Sequence, residues 1–377
     1  MMENLRFMLA AGGTGGHLAP ALALARALKK ARPEADCLFV GSGRPVEAKM
    51  LDSSGFRRIV LRSSGWKGQG PLGRLKALGR ALVAFWEALG LIRAYRPRIC
   101  FGAGGYVTVP VGLAARILGV PLVVHEQNSR AGLSNRLLGR LADRVMLGFG
   151  EAAVAFPAAK TVVTGNPVRP EIAALGLGGR SFGPPPLTVL VTGGSQGARG
   201  LNLAAAPALA ALGRGGPAVK IVHQAGAPDL EAVRAVYRQA GLAVEVEDFY
   251  QDMAALYRRV DLVVSRAGAI TVTELAAAGL PAVLVPLPTA ADDHQTVNAR
   301  LLEAAGAAVV LPQSGLTPEA LAEVLAGLLA RPEKLAAMSR AAAKLVRPDA
   351  DERMAAICLE LAGAAGEPRE RCGEGGR

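Results

Sequence analysis

Residues 5–11 (LRFMLAA) run apolar into Gly12-Gly13-Thr14-Gly15-Gly16-His17, and residues 18–30 (LAPALALARALKK) then repeat apolar side chains at helical spacing. The three pieces predict a buried strand, a tight turn and a helix. The unit recurs: 187–192 (LTVLVT) lead into Gly193-Gly194-Ser195-Gln196-Gly197, and an Ala- and Leu-rich stretch follows from Leu201 to Leu212. An offset of 181 residues lays Gly12, Gly13, Thr14 and Gly16 over Gly193, Gly194, Ser195 and Gly197. A second echo pairs Gly105-Tyr106-Val107-Thr108 with Gly268-Ala269-Ile270-Thr271, each followed by an Ala-rich helical pattern and a Pro-led apolar strand. Further apolar runs at 36–41, 98–102, 120–125, 219–223, 261–265 and 281–286 alternate with helical segments, as in parallel sheets covered on both faces. Two paralogous α/β domains of Rossmann type are expected. Between them, 176–186 (GLGGRSFGPPP) can hold neither a helix nor a central strand, so it reads as a hinge or a crossover.

The chain has 377 residues, 51% of them hydrophobic, which fills two globular cores and excludes disorder, coiled coil and collagen-like repeats. Its net charge of +12 is unevenly placed. Residues 1–170 carry 24 basic and 9 acidic side chains, a balance of +15, and the remainder is at −3. Such a field attracts phosphate-bearing partners. Nucleic acid is disfavoured by an aromatic content of 4% and by the lack of a basic–aromatic recognition motif. Cys37, Cys100, Cys358 and Cys372 show no C-x-x-C spacing, so neither a disulfide frame nor a zinc site is expected. The opening Met1-Met2-Glu3-Asn4 lacks a basic n-region, and Glu87 and Arg116 interrupt the best apolar stretches. A cytoplasmic chain without a spanning segment is expected.

A glycine turn between strand and helix lets backbone N–H groups approach a phosphate, with the helix N-terminus adding a favourable dipole. Neither loop fits the dinucleotide fingerprint: Gly13-Thr14-Gly15 lacks the third glycine, and the second strand pattern ends in Gly41-Ser42 rather than an acid. The Walker pattern is also missing. Two such domains facing across a cleft suit a diphosphate-linked sugar better than NAD or ATP. A lone glycine loop is as often a plain packing turn; two hydroxyl-bearing copies favour a ligand.

Seven separated motifs then carry a resemblance: Gly12 to His17, Gly104-Gly105-Tyr106, His125-Glu126-Gln127-Asn128, Gly165-Asn166-Pro167-Val168-Arg169, Gly193 to Ala198, Arg266 to Glu274, and His294-Gln295 with Asn298-Ala299. In this order, from about residue 5 to about residue 360, the chain resembles the MurG family of peptidoglycan N-acetylglucosaminyltransferases. The resemblance implies an α/β glycosyltransferase-B fold, two Rossmann-like doubly wound domains facing a cleft. It implies an acceptor and membrane-associating domain at 1–168 and a UDP-GlcNAc-binding domain at 169–347. A helix at 348–364 is expected to return to the first domain, with a disordered tail at 365–377. The family moves GlcNAc from UDP-GlcNAc to the 4-hydroxyl of MurNAc in lipid I, giving lipid II. By resemblance Glu274 binds the ribose hydroxyls, Ser195 the diphosphate, and Gln295, Arg169 and Asn128 other parts of the donor. Ala269, Ile270, Thr271, Val272 and Thr273 open the helix that carries Glu274, so their N–H groups can face the diphosphate and the sugar. Thr14, Gly15 and Gly16 join the UDP-GlcNAc contacts from the first loop. Tyr250 stands at the uracil-reading position, where the family often has Ile, and His294 stands where some members have Gln.

Replacing an anomeric diphosphate by a sugar hydroxyl needs a base. His17 follows the glycine turn at a helix start, where the dipole disfavours an imidazolium and keeps the ring ready to take a proton. Glu126 is the competing base or an orienting group, and Tyr106 is expected to position the acceptor. His125, after four strand residues, reads as a core histidine. No cofactor and no metal site are expected, although Asp292-Asp293 leaves a divalent cation open. Residues 71–93 place Leu75, Leu78, Leu82, Phe85 or Trp86, and Leu89 at helical spacing beside Arg74, Lys76 and Arg80, the pattern of a helix lying in an anionic membrane surface. The expected partners are UDP-GlcNAc, lipid I, that surface and other cell-wall synthesis proteins. The expected location is the cytoplasmic face of the membrane. Three alternatives remain at this point: another UDP-sugar:lipid transferase, a UDP-GlcNAc epimerase of the same fold, and a non-catalytic nucleotide-sugar-binding protein.

Overall fold

The apolar runs become the inner strands of two parallel sheets, because a strand covered on both faces removes every side chain from water. The computed structural model describes residues 5–13, 15–52, 54–61, 71–194, 197–215 and 219–364. The chain divides into two units, changing from the first to the second after Gln127, back after Arg130, across again after Pro167, and back after Pro348.

In the first unit, β1 (Arg6–Ala10), α1 (Gly15–Ala31), β2 (Asp36–Gly41), α2 (Pro45–Asp52), β3 (Arg57–Val60) and α3 (Pro71–Tyr95) wind outward in one direction. The strands and helices β4 (Ile99–Gly102), α4 (Thr108–Ile117), β5 (Leu122–Glu126), α5 (Leu133–Leu141), β6 (Arg144–Leu147) and β7 (Thr161–Val163) wind in the other. The strand order is β3-β2-β1-β4-β5-β6-β7, with all pairs parallel. Alternation along β1 divides the core. Phe7 and Leu9 pack with Leu18, Leu24 and Leu28 of α1, while Met8 and Ala10 pack with Leu89, Ile92, Val111 and Leu138.

The second unit begins with α6 (Pro170–Leu177), β8 (Leu187–Thr192), α7 (Arg199–Gly215), β9 (Val219–Gln224), α8 (Leu230–Gln239) and β10 (Glu245–Glu247). It continues through α9 (Met253–Arg258), β11 (Leu262–Ser265), α10 (Ala269–Ala277), β12 (Ala282–Leu284), α11 (His294–Ala304), β13 (Ala308–Val310), α12 (Pro318–Leu329) and α13 (Pro332–Ala343). Its parallel sheet runs β10-β9-β8-β11-β12-β13. Past Pro348 the chain forms α14 (Ala350–Ala364), which lies on α1 and buries Met354 and Cys358 in the first unit's core.

In both units the strand order reverses between the first strand and its neighbour, β1 with β4 and β8 with β11. Ligands of doubly wound sheets bind beyond the carboxyl ends of such a pair. The proline-rich stretch does not join the units. Arg180 donates from Nε to Ala278 O at 2.9 Å and from its two Nη groups to Val260 O and Tyr257 O, pinning the stretch onto the second unit's own helices. The predicted tail at 365–377 lies outside the described residues.

Candidate active site

Two turns flank the β1/β4 pair. The first runs through Gly12 and Gly13 into α1; the second runs through Gly104 and Gly105 toward α4. Gly105 has φ +87°, and a Cβ placed there would stand 2.2 Å from Gly12 O, so only glycine lets the two turns touch. His17, in the first turn of α1, uses that contact. Its Nδ1 lies 3.0 Å from Gly12 O. A carbonyl can only accept, so Nδ1 carries a proton in that contact, and in a neutral ring the second nitrogen, Nε2, is then the basic one. The ring packs over Gly104, whose Cβ would sit 3.1 Å from His17 Cδ2 and 3.2 Å from Nε2. Tyr106 follows the same turn and is 39% exposed. Gly15 and Gly16 are the first residues of α1, where amides have no helical partner. Thr14 lies outside the described residues.

Glu126 ends β5 and is 1% exposed. Oε2 accepts from Gly132 N and from Asn135 Nδ2, both at 2.9 Å. Asn135 also donates to His125 O at 3.0 Å, and its Nδ2 lies 3.5 Å from the Gly104 Cβ position. Glu126 thus closes the loop onto α5. His125 is fully buried, with Nε2 toward Gly165 O at 3.4 Å and Nδ1 accepting from Gln127 Nε2 at 3.1 Å. Burial pushes its pKa down to about 4, which keeps it a neutral core ring stacked on Phe101. Both nitrogens are engaged, as in the core histidine the sequence predicts.

In the second unit the turn after β8 passes through Gly193 and Gly194, and its Ser195 and Gln196 lie outside the described residues. Gly197, at φ +70°, backs onto Ala225 O, which a Cβ would approach to 2.6 Å. The turn after β11 opens α10 at Ala269. No side chain caps this helix, and Val272 N already donates to Gly268 O at 2.9 Å. By helix geometry the amides open to an anion are those of Ala269, Ile270 and Thr271. Thr273 turns its hydroxyl back to Ala269 O at 2.8 Å. One turn on, Glu274 meets Arg169: Nε and Nη2 lie 3.1 and 3.0 Å from Oε1. Burial raises the Glu274 pKa, against the lowering influence of Arg169.

Gln295 spends Oε1 on Ala267 N at 3.2 Å and Leu287 N at 3.0 Å, which turns Nε2 into its donor. His294 Nδ1 is held by Ala291 O at 2.6 Å, behind two residues in the left-handed region, Asp292 and Asp293. Asn128 belongs to the short 128–130 stretch that groups with the second unit. Asn298 fastens that stretch, accepting from Ser129 N and Oγ at 3.0 and 2.7 Å and donating to Asn128 Oδ1 at 3.3 Å. Tyr250 donates its hydroxyl to Glu245, which Arg259 also grips at 2.7 and 2.6 Å, so what Tyr250 offers a ligand is backbone. Among the described residues no group of three His, Cys, Asp or Glu side chains could hold a metal ion.

Several residues beside these groups received no role from the sequence. Arg266 is 8% exposed and donates to Val285 O and Pro286 O at 3.1 and 3.3 Å, while its Nε has no partner among the described residues. Burial lowers its pKa. Glu47 and Asn135 stood in no motif, although Glu47 reaches Gly13, 34 residues away, and Asn135 reaches Glu126, nine residues away. The apolar stripe predicted on α3 is split. Leu89 packs into the core with Ala88 and Ile92, whereas Leu78, Leu82, Val83 and Trp86 are 50, 56, 51 and 68% exposed. Leu75 and Arg74 have no described side chains. No described helix is long and apolar enough to cross a membrane.

Family models match both halves: the glycosyltransferase family 28 N-terminal domain over residues 7–147 and the family 28 C-terminal domain over residues 188–354. A relative from Halorhodospira halophila is 47% identical, covering 94% of this chain and 98% of its own. One from Syntrophotalea carbinolica is 43% identical, covering 95% and 99%. Both are named UDP-N-acetylglucosamine--N-acetylmuramyl-(pentapeptide) pyrophosphoryl-undecaprenol N-acetylglucosamine transferase. Among solved structures, the crystal structure of Acinetobacter baumannii MurG superposes with a TM-score of 0.78 at 35% identity, covering 94% of this chain and 99% of that one. The chain belongs to glycosyltransferase family 28 and, within it, to the MurG N-acetylglucosaminyltransferases.

Proposed function

We propose that this chain transfers GlcNAc from UDP-GlcNAc to the 4-hydroxyl of MurNAc in lipid I by a single inverting displacement, with His17 as base. The acceptor oxygen bonds to C1 of the sugar and the bond from C1 to the UDP oxygen breaks. The hydroxyl proton passes to His17 Nε2, and the electron pair leaves with UDP. The observation that carries this reading is the contact of His17 Nδ1 with Gly12 O at 3.0 Å: with Nδ1–H spent on that carbonyl, a neutral ring takes up a proton at Nε2. Glu126 has a poorer claim to that proton: it is buried, and donors from Gly132 and from Asn135 of α5 already hold Oε2. It shapes the loop beside the acceptor, and Tyr106 positions the acceptor itself.

The second unit holds the donor. Both Arg169 contacts fall on Oε1 of Glu274, which leaves Oε2 for the ribose hydroxyls. The amides of Ala269, Ile270 and Thr271, with Ser195, receive the diphosphate and meet the charge that builds on departing UDP. Gln295 Nε2, Asn128 and Arg169 reach the rest of the donor, and the backbone at Tyr250 reads uracil. The exposed Leu78, Leu82, Val83 and Trp86, with Lys76 and Arg80 exposed on the same helix, support attachment of α3 to an anionic membrane surface. Cytoplasmic-face placement and contacts with other cell-wall synthesis proteins belong to the same proposal.

The test pairs calorimetry with transfer. His17→Ala should bind UDP-GlcNAc with native heat yet transfer almost nothing to a lipid I analogue; Glu274→Gln should lose the heat as well. Native transfer by His17→Ala would remove the base from this scheme.

A further inference from the structure

Glu47 is a buried acid that no motif marks. It stands in the first turn of α2, 2% exposed, and its carboxylate collects four donors. Oε1 accepts from Gly13 N at 2.8 Å and Ser42 Oγ at 2.5 Å; Oε2 accepts from Ser42 N and Gly43 N, both at 2.8 Å. Ser42 and Gly43 are local partners of the kind any helix start attracts. Gly13 is different, 34 residues away and in the turn that leads to His17. The fit around the carboxylate is close: a Cβ on Gly41 would stand 2.5 Å from Oε2, and one on Gly12 would stand 3.4 Å from Oε1. On its other side the Gly13 carbonyl accepts from Arg44 Nη1 at 3.1 Å. Both hydrogen-bonding groups of Gly13 are therefore taken, and its amide has no proton to give a phosphate. The first glycine turn is built less as an anion cradle than as a mount for the Gly12 carbonyl.

We propose that Glu47 is a positioning residue for the transfer reaction. By holding Gly13 N it fixes the neighbouring Gly12 carbonyl, and that carbonyl sets the orientation and tautomer of the His17 ring. The inference rests on the reading of His17 as base. Four donors on one carboxylate need two accepting oxygens, each taking two bonds. Glu47→Gln keeps the shape but has one such oxygen, so its NH2 group must face either the Gly13 N–H or the Ser42 and Gly43 N–H pair.

The test is a double-mutant cycle in the full chain, with UDP-GlcNAc and a lipid I analogue. Glu47→Gln should lower kcat by roughly 10- to 100-fold, the penalty of misplacing a reacting group by a fraction of an ångström to one ångström. KM for UDP-GlcNAc should stay within about twofold, since Glu274, Arg169 and α10 lie in the other unit. In a His17→Ala background the same change should cost no further activity. Nitrogen-15 spectra of the ring should show the Nδ1–H tautomer in the native chain and its loss in Glu47→Gln. Ser42→Ala removes one donor without touching the acid and carries the same test in a gentler form should Glu47→Gln fail to fold. An equal loss of kcat with and without His17, or an unchanged ring tautomer, overturns the proposal and leaves the base reading intact. Near-native transfer by His17→Ala alone overturns the base reading and the proposal with it.

Discussion

Gly105→Ala should separate catalysis from donor binding. At φ +87° an alanine costs about 1–2 kcal/mol in backbone strain alone. Its methyl would also stand 2.2 Å from Gly12 O, where Cβ contacts under 3.0 Å essentially never occur, so one turn must move by close to 1 Å. The atom pushed is the one that accepts from His17 Nδ1 at 3.0 Å. A shift of that size carries the pair out of the ordinary range for N–H···O bonds, and misplacing a catalytic group by 1 Å can lower a rate by about 100-fold. Strain and displacement together should remove roughly 2–4 kcal/mol from the first unit, a fall in its unfolding midpoint on the order of 5–15 °C. Initial rates with a lipid I analogue should drop by about 100-fold, while calorimetric affinity for UDP-GlcNAc stays native because Glu274 and α10 lie in the other unit. Native turnover, or a loss of donor affinity in step with turnover, would refute the reasoning.

Four further outcomes follow from the same geometry. His17→Ala should lower kcat by about 10²–10⁴, the usual worth of a positioned base, measured under saturating donor and acceptor. Glu274→Gln should weaken UDP-GlcNAc binding by roughly 10- to 100-fold, since hydrogen bonds to a charged group contribute about 1.5–3 kcal/mol; calorimetry reads it directly. Trp86→Glu with Leu82→Asp should abolish sedimentation with anionic vesicles and leave transfer to a detergent-soluble acceptor intact, and salt should weaken native attachment. Acid should destabilise the fold through His125 and the equally buried His223, whose Nδ1 and Nε2 meet Tyr237 Oη at 2.9 Å and Asn202 Oδ1 at 3.1 Å. Burial holds their folded pKa values near about 4 and about 3, so below 6.5 the unfolded chain takes up protons that the folded chain refuses. Their contribution is complete above that pH and erodes as pH falls, by about 3 kcal/mol for each ring at about pH 4.5. A His125→Gln, His223→Gln chain should show a flatter pH dependence of its unfolding midpoint, and an identical slope would rule these rings out.

The parts of this molecule legible in its sequence are those written locally. β1 and β8 are continuous apolar runs that end in glycine turns, and the turns mark where each strand order reverses. Short or edge strands leave weaker traces: β7 and β10 have three residues each, and all four residues of β3 are exposed, so no apolar pattern exists to read. On α3 the spacing was right, but the stripe does not keep to one face. Leu78, Leu82 and Trp86 fall one way and Leu89 the other, which only the packing of α4 and β2 beside the helix decides. His17 stood out because a glycine turn and a helix start frame it, and Glu274 because the family resemblance marks it. Glu47 did not, because its decisive partner, Gly13, lies 34 residues away; Asn298 stood in a motif but received no role, because its partner Ser129 lies 169 residues away. The visit of 128–130 to the second unit has the same cause.

The most direct measurement follows labelled UDP-GlcNAc with undecaprenyl-diphospho-MurNAc-pentapeptide and reads product stoichiometry and anomeric configuration together. One UDP released for each GlcNAc transferred, a β linkage to the MurNAc 4-hydroxyl, and no donor consumption without acceptor are the predicted result. Donor turnover in the absence of acceptor, or an α-linked product, would contradict a single displacement assisted by His17.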